Sequence, residues 1–398
     1  MFLYVLLYVV YRLVRAVVQL ESDVLALTRR LILNEQQPVE IFTILTRFRL
    51  DTNDIPRDSD FMLFNEGFAT FDEICDYRWH IYFISDRYVY LVQGAEGETG
   101  HVLDAPNQTR WLHSKGEKVA RIAVDEFITK AAHLAPLKSK IVFLHSLPAC
   151  GGILAAQLLQ TADASLKTIE VLGEPPVLTT LSILSYSIPI EKMRAITRAA
   201  LRLAFLNFER GQTVVFKAKS CCSKIIPYIH HSYPSIQHVF ITTRDSMDCV
   251  ERLVEDSASN MNVLDTVCRF SAYSPCVCDY FFGWRQSELE AVTNVGPTTP
   301  FEFALALIMG ANISHQRNLK YFALDPIYFE DLLNDVHNVL RPLMDICDIS
   351  DLALHECISF KRREDTAFRR FSSVHSLPDD VLERLKHISD LLQQEWNR

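Results

Sequence analysis

KIVFLHSLPACGGILAAQLL, residues 140–159, runs from an apolar segment of strand length, through a short turn, into a second apolar segment. The turn holds the only Gly-Gly pair of the chain, Gly151-Gly152. A continuous apolar run bounded by glycine reads as a strand buried on both faces, and the segment after it reads as a helix. Glycine lets backbone approach a ligand closely, and the free amides at a helix start attract anions. The turn matches neither Gly-x4-Gly-Lys-Ser/Thr nor Gly-x-Gly-x-x-Gly, so by itself it fits a purely structural connection as well as an anion site.

Four further runs have the same character: TIEVLG (168–173), TVVFKA (213–218), HVFITT (238–243) and KYFALD (320–325). Helical stretches separate them: VLTTLSILSY, EKMRAITRAALRLAFLNF, SKIIPYIHH, DCVERLVED and FEFALALIMGANISHQ. This alternation predicts an α/β domain, a three-layer parallel sheet of about five strands covered on both faces. Arg194, Arg198 and Arg202 rise along one helix at i, i+4 and read as a solvated face. Residues 1–125 read as a separate α+β module with a helical beginning and a hairpin in HIYFISDRYVYLVQG (80–94). The stretch Gln93–Glu117 reads as a loop, and a helical segment is expected from Lys118. Residues 126–398 form the α/β domain, ending in a helical tail (346–398).

With 49% apolar, 11% aromatic and 22% charged residues, a chain of 398 can bury a large core, which excludes wholesale disorder. The formal charge of −9 argues against a general nucleic-acid binder. The ten cysteines contain no Cys-x-x-Cys pair, and Cys268, Cys276 and Cys278 have no histidine at ligand spacing, so no metal site is expected. Sequons at Asn107 and Asn312 are no more than chance provides. The opening MFLYVLLYVVY is followed by Arg12 and Arg15, which with Gln19 and Ser22 fall on one stripe at helical spacing. That favours an amphipathic helix packed on the protein over a membrane anchor. A cytoplasmic location is expected, and a Golgi membrane if the segment is an anchor.

In parallel α/β sheets, ligands bind beyond the carboxyl ends of the strands. Glu174 follows the second strand in Gly173-Glu174-Pro175-Pro176 and reads as a general base or as a helix N-terminal acid. Lys217 and Lys219 end the third strand. The fourth runs into Thr243-Arg244-Asp245, with Arg252 eight residues beyond Arg244. His145 ends the first.

This ordered set resembles the sulfotransferase family, a branch of the phosphate-loop fold, as a divergent member, over residues 138–375. The matching features are the glycine turn, Glu-Pro after the next strand, the lysine-bearing strand and VFITTRDSMDCVERL. IYFEDLLNDVHNVLRPL resembles the family's Tyr-Glu-Asp-Leu segment, and FKRREDTAFRR its basic closing loop. The resemblance implies 3′-phosphoadenosine 5′-phosphosulfate as co-substrate, without metal, and a hydroxyl-bearing acceptor such as a carbohydrate. Cys150, Gly151, Gly152 and Ile153 would hold the 5′-phosphosulfate. Arg244, Arg252 and some of Arg362, Arg363, Arg369 and Arg370 would hold the 3′-phosphate. Glu174, or His145, would take the acceptor's proton while Lys217 and Lys219 steady the sulfuryl oxygens. The chain departs from the family at the turn, where Leu147-Pro148-Ala149-Cys150 and Ile153 replace the usual Lys/Arg and Ser/Thr, and at Arg252, where serine is usual. A catalytically inactive nucleotide-binding or scaffold protein on the same fold is the alternative. A phosphate-loop kinase or NTPase is disfavoured by the missing Lys-Ser/Thr and by the lack of an acidic strand end for Mg²⁺.

Overall fold

The computed structural model describes residues 2–95, 105–162, 169–208, 211–259, 262–350, 354–363 and 377–396. Two five-stranded sheets organise these residues. The first is entirely antiparallel and is built from β1 (Val39–Arg47), β2 (Phe61–Ala69), β3 (Trp79–Ile84), β4 (Tyr88–Gln93) and β5 (Lys118–Ala123), in the order β2-β1-β5-β4-β3. Helix α1 (Phe2–Leu33) lies along β2, α2 (Gln108–Lys115) precedes β5, and α3 (Val124–Ala131) follows it.

The second sheet is entirely parallel: β6 (Lys140–Ser146), β7 (Ile169–Gly173), β8 (Thr213–Lys217), β9 (Gln237–Thr242) and β10 (Ile327–Tyr328), in the order β10-β9-β6-β8-β7. The connecting helices are α4 (Gly152–Ala162), α5 (Pro176–Leu184), α6 (Ile190–Ala204), α7 (Ile226–Ser232) and α8 (Ser246–Ser259). Short helices over 263–295 then lead to α13 (Pro300–Arg317), numbering α9–α12 as Val263–Tyr273, Pro275–Phe281, Trp284–Ser287 and Leu289–Val295. The C-terminal region is helical: α14 (Phe329–Asn334), α15 (Val336–Ile346), α16 (Leu354–Arg363) and α17 (Asp379–Trp396).

Strand alternation divides the core. Val142 and Leu144 of β6 pack with α4, α8 and α13 on one face of the parallel sheet. Ile141 and Phe143 face the other way, toward α5, α6 and the antiparallel sheet. Both faces are therefore covered, as near-continuously apolar strands require. Helix α13 runs through the first of these cores. It starts from a reciprocal cap in which Thr299 Oγ1 accepts from the Glu302 amide and Glu302 accepts from the Thr299 amide, both at 3.2 Å.

The α/β class, the first four parallel strands and the hairpin match the sequence reading; three local expectations do not. KYFALD is not the fifth strand. Leu319–Tyr321 forms a single 3₁₀ turn, Phe322 makes one isolated parallel bridge to His238, and the edge strand is Ile327–Tyr328. The Phe322 ring instead packs on His238, Phe240 and His315. Lys118–Ala123 is a strand rather than a helix, because it fills the gap between β1 and β4 and bonds to both. The expected loop Gln93–Glu117 contains α2, which Asn107 caps by accepting from the Arg110 amide at 2.9 Å.

Phe143 is fully buried at the centre of β6, in ring contact with Phe205, Phe216 and His238. Phe143→Ala should cost about 3–5 kcal/mol, read as a lowered urea midpoint with an unchanged slope.

Candidate functional site

The carboxyl ends of β6, β7 and β8 open onto one cavity of about 400 Å³, within the range that holds a small ligand. The turn Ser146–Gly152 and the first residues of α4 form one wall. Ala149 and Gly151 both take positive φ there, +54° and +75°. A side chain on Gly151 would collide with the Phe329 ring. One on Gly152 would collide with Ser146 and stand 3.1 Å from Lys217 Cε. The two glycines thus let the start of α4 close down onto β6, β8 and the Phe329 ring.

Glu174 forms the opposite wall and is itself held in the left-handed region, φ +50°. That conformation costs a non-glycine residue roughly 1–2 kcal/mol, so its surroundings must enforce it. The Glu174 amide donates to the Lys217 carbonyl at 2.7 Å, and Thr109 Oγ1 donates to the Glu174 carbonyl at 3.1 Å. On the carboxylate, Oε1 accepts from Lys217 Nζ at 2.7 Å and Oε2 from Asn107 Nδ2 at 2.9 Å. Lys219 Nζ lies 4.0 Å from Oε2 and donates to the Asn53 carbonyl at 2.8 Å. Burial alone would raise the Glu174 pKa, but the two lysines outweigh it and hold the carboxyl below its ordinary value of 4.5.

The antiparallel module supplies the rest of the rim. Asp51 Oδ2 accepts from Trp284 Nε1 at 2.8 Å, and Asp51 Oδ1 from the Asn53 amide at 2.9 Å. Burial, reinforced by the nearby Asp54, raises the Asp51 pKa. Among the described residues, Lys217 and Lys219 are the cations lining the cavity, against Asp51, Glu174 and Asp256. Its lining residues therefore give no excess of positive charge.

Of the residues singled out from sequence, Cys150, Gly151, Gly152, Ile153, Glu174, Lys217 and Lys219 meet in this cavity. Cys150 serves the turn itself: its thiol, pushed up to about 11 by burial, donates to the Ile241 carbonyl. Arg252 approaches the turn from outside, Nη1 lying 3.4 Å from the Ala149 carbonyl and Nη2 3.6 Å from Asp248. Arg244 does not join them. It lines a separate cavity with Thr243, His315 and Tyr328, pairs with Asp331 at 2.5 Å, and sits over the Tyr328 ring. His145 is also elsewhere, buried in the sheet, with Nε2 3.0 Å from His238 Nδ1. Arg369 and Arg370 lie outside the described residues, as do the side chains of Arg362 and Arg363 at the end of α16. The sequence reading missed Asp51, Asn53, Asn107 and Trp284. The turn-rich Asp51-Thr52-Asn53-Asp54-Ile55-Pro56 was the available signal for the first two.

The buried ionisable groups generate two predictions. Lys217→Met strands the Glu174 carboxylate and should cost about 3–5 kcal/mol, while Lys217→Met with Glu174→Gln should recover most of it in urea titrations. The second concerns histidines. Burial, helped by His238, holds His145 well below 6.5; burial holds His238 at about 3 and His315 at about 4. These rings stay neutral in the fold but protonate near 6.5 when unfolded, so their stabilising contribution is full above that pH and is lost as pH falls toward the folded values. Tm should drop between pH 7.5 and 5, and His238→Phe should flatten that dependence by up to about 1.4 kcal/mol per pH unit.

No protein-family model matches the chain, and no curated protein matches it in sequence. Solved structures similar in fold include the sulfotransferase domain from the curacin biosynthetic pathway, at 13% identity and TM-score 0.32, covering 54% of this chain and 76% of that one. A sulfotransferase from Alicyclobacillus acidocaldarius is similar at 15% identity and TM-score 0.33, covering 67% and 100%. One from Mycobacterium avium is similar at 11% and 0.37, covering 68% and 81%.

Proposed function

We propose that the protein moves a sulfuryl group from 3′-phosphoadenosine 5′-phosphosulfate to a hydroxyl acceptor, in the cavity between Gly151-Gly152 and Glu174. The observation that carries this reading is the meeting of a carboxylate, a lysine and a glycine turn at a helix start, all beyond the carboxyl ends of parallel strands. The cavity suits the phosphosulfate end of the donor: Lys217, Lys219 and the backbone of the turn offer cations and amides. For the 3′-phosphate it offers less, since among the described residues no arginine lines it.

The Glu174–Lys217 pair is then a resting arrangement. An anion that draws Lys217 Nζ away removes the main influence holding the carboxyl low and leaves burial to raise it, making Glu174 a better base. Glu174 accepts the proton of the acceptor hydroxyl as that oxygen bonds to sulfur, and Lys217 balances charge on the bridging oxygen as its bond to sulfur breaks. The products are a sulfate ester and 3′,5′-bisphosphoadenosine.

The second reading, a catalytically silent nucleotide-binding or scaffold protein, draws on the position of Arg244, tied to Asp331 outside the cavity. A cytoplasmic location remains part of the proposal.

Thermal shift with 3′,5′-bisphosphoadenosine in the presence of a chelator separates the readings. At 100 times its Kd the ligand should stabilise by about 2.7 kcal/mol, and Lys217→Met should abolish the shift measured against its own ligand-free Tm. Glu174→Gln should retain the shift and lose at least ~100-fold in transfer of labelled sulfate. A shift without transfer favours the silent nucleotide binder, no shift with any nucleotide favours the scaffold, and a response to ATP with Mg²⁺ alone overturns both.

A further inference from the structure

Helix α1 repeats every seven residues on both of its faces. On the face turned to its own domain, Tyr8, Arg15, Ser22 and Arg29 recur at that interval, and each is held. The Tyr8 ring packs on Phe48, 5.6 Å between centroids. Arg15 donates to the Phe61 and Asp58 carbonyls, both at 2.9 Å. Ser22 Oγ accepts from the Asn65 amide at 2.7 Å, and Arg29 donates to Asn65 Oδ1 at 2.9 Å.

On the opposite face, Leu3, Val10, Val17, Val24 and Leu31 also recur every seven residues. Between them, three residues after the first four, stand Leu6, Leu13, Leu20 and Leu27. All nine are 47–75% exposed, and Leu7, Val14 and Ile32 beside them are exposed as well, so most of the large exposed aliphatic side chains among the described residues lie on this helix. This is a heptad seam, with mostly β-branched residues at the first core position and leucine throughout the second. That composition favours two parallel strands, and a strict seven-residue repeat needs a supercoiling partner.

We propose that α1 pairs with α1 of a second copy of this chain as a parallel two-stranded coiled coil over residues 3–31. The docked face lies opposite the seam, so the two antiparallel sheets fall on opposite flanks of the pair. At roughly 100 Å² of apolar surface for each of nine side chains, the two copies would bury on the order of 1,800 Å², the size of a stable interface. Across the seam, Ala16 of one copy faces Glu21 of the other and Asp23 faces Thr28, so no like charges meet.

By length and composition Leu3–Ile32 could cross a membrane. Crossing would strip Arg15, Ser22 and Arg29 from their partners on β2 and on the turn before it. A helix lying on a bilayer surface usually carries a basic rim. Here the charges flanking the apolar seam are Glu21, Asp23 and Arg30, and Arg30 pairs with Glu40 at 3.3 Å, while Arg12, Arg15 and Arg29 are engaged on the protein side.

Sedimentation of the full chain at about 50 µM should give twice the monomer mass. The double substitution Leu13→Glu, Val17→Glu should weaken association at least ~100-fold while leaving the far-ultraviolet spectrum unchanged. If that variant does not fold, Val10→Cys decides: mild oxidation should link position 10 to position 10 of the second copy, which an antiparallel pair, placing Val10 beside Leu20 or Leu27 of the other copy, would not allow. A monomer at 50 µM, a dimer that survives the double substitution, or no cross-link through Val10→Cys overturns the proposal. So does a monomer that sediments with phosphatidylcholine–phosphatidylserine vesicles.

Discussion

A carboxylate largely withdrawn from water needs partners, and Glu174, its side chain 16% exposed at the cavity, finds them in both halves of the molecule. Lys217 and Lys219 come from the end of β8, Asn107 from the cap of α2. Breaking such an arrangement by removing one partner typically costs several kcal/mol, because a buried charge is left uncompensated. The same residue sits in left-handed backbone, pinned through its amide by Lys217 and through its carbonyl by Thr109. The antiparallel module and the parallel sheet are therefore joined at the cavity by charge and backbone geometry, as well as by a shared apolar core.

That junction defines what the cavity can do. The glycine turn lowers the start of α4 against Lys217, and the lysine reaches across to Glu174. Base and cation thus face each other at hydrogen-bonding distance and hold each other's charge. In the proposed reaction an anionic ligand would compete with Glu174 for the lysine, so that binding and activation of the base would be one event. The rim residues Asp51 and Asn53, with Trp284, come from segments far apart in the chain, so the antiparallel module and the helices after α8 together shape the rim of the cavity.

The sequence made the parallel sheet legible because its strands are near-continuous apolar runs broken by turns, a pattern set by burial on both faces. It also placed Glu174, Lys217 and the glycine pair together, since strand ends of a parallel sheet share one edge. Tertiary pairing was not legible. Nothing local indicates that Arg244 meets Asp331, 87 residues on, or that Asn107 meets Glu174 across 67. His145 illustrates the same limit: a strand-end histidine reads as a catalytic candidate until its neighbour across the sheet proves to be His238. KYFALD has the composition of a strand, but its aromatic residues cover the sheet end instead of extending it, and the two-residue β10 closes the edge. The antiparallel strands β1 and β2 went unread because they mix polar with apolar residues and their pairing is broken by two register shifts, so no clean two-residue burial period marks them: β2 buries Phe61, Met62 and Leu63 in a row.

The central claim is that Lys217 keeps Glu174 ionised at rest and releases it when an anion binds. Carbon-13 NMR of labelled glutamate, with Glu174→Gln assigning the resonance, measures this carboxyl directly. The Glu174 pKa should lie below 4.5 in the free protein and rise when 3′,5′-bisphosphoadenosine is added. A value above 4.5 in the free protein, or one that the bound nucleotide leaves unmoved, would contradict the account.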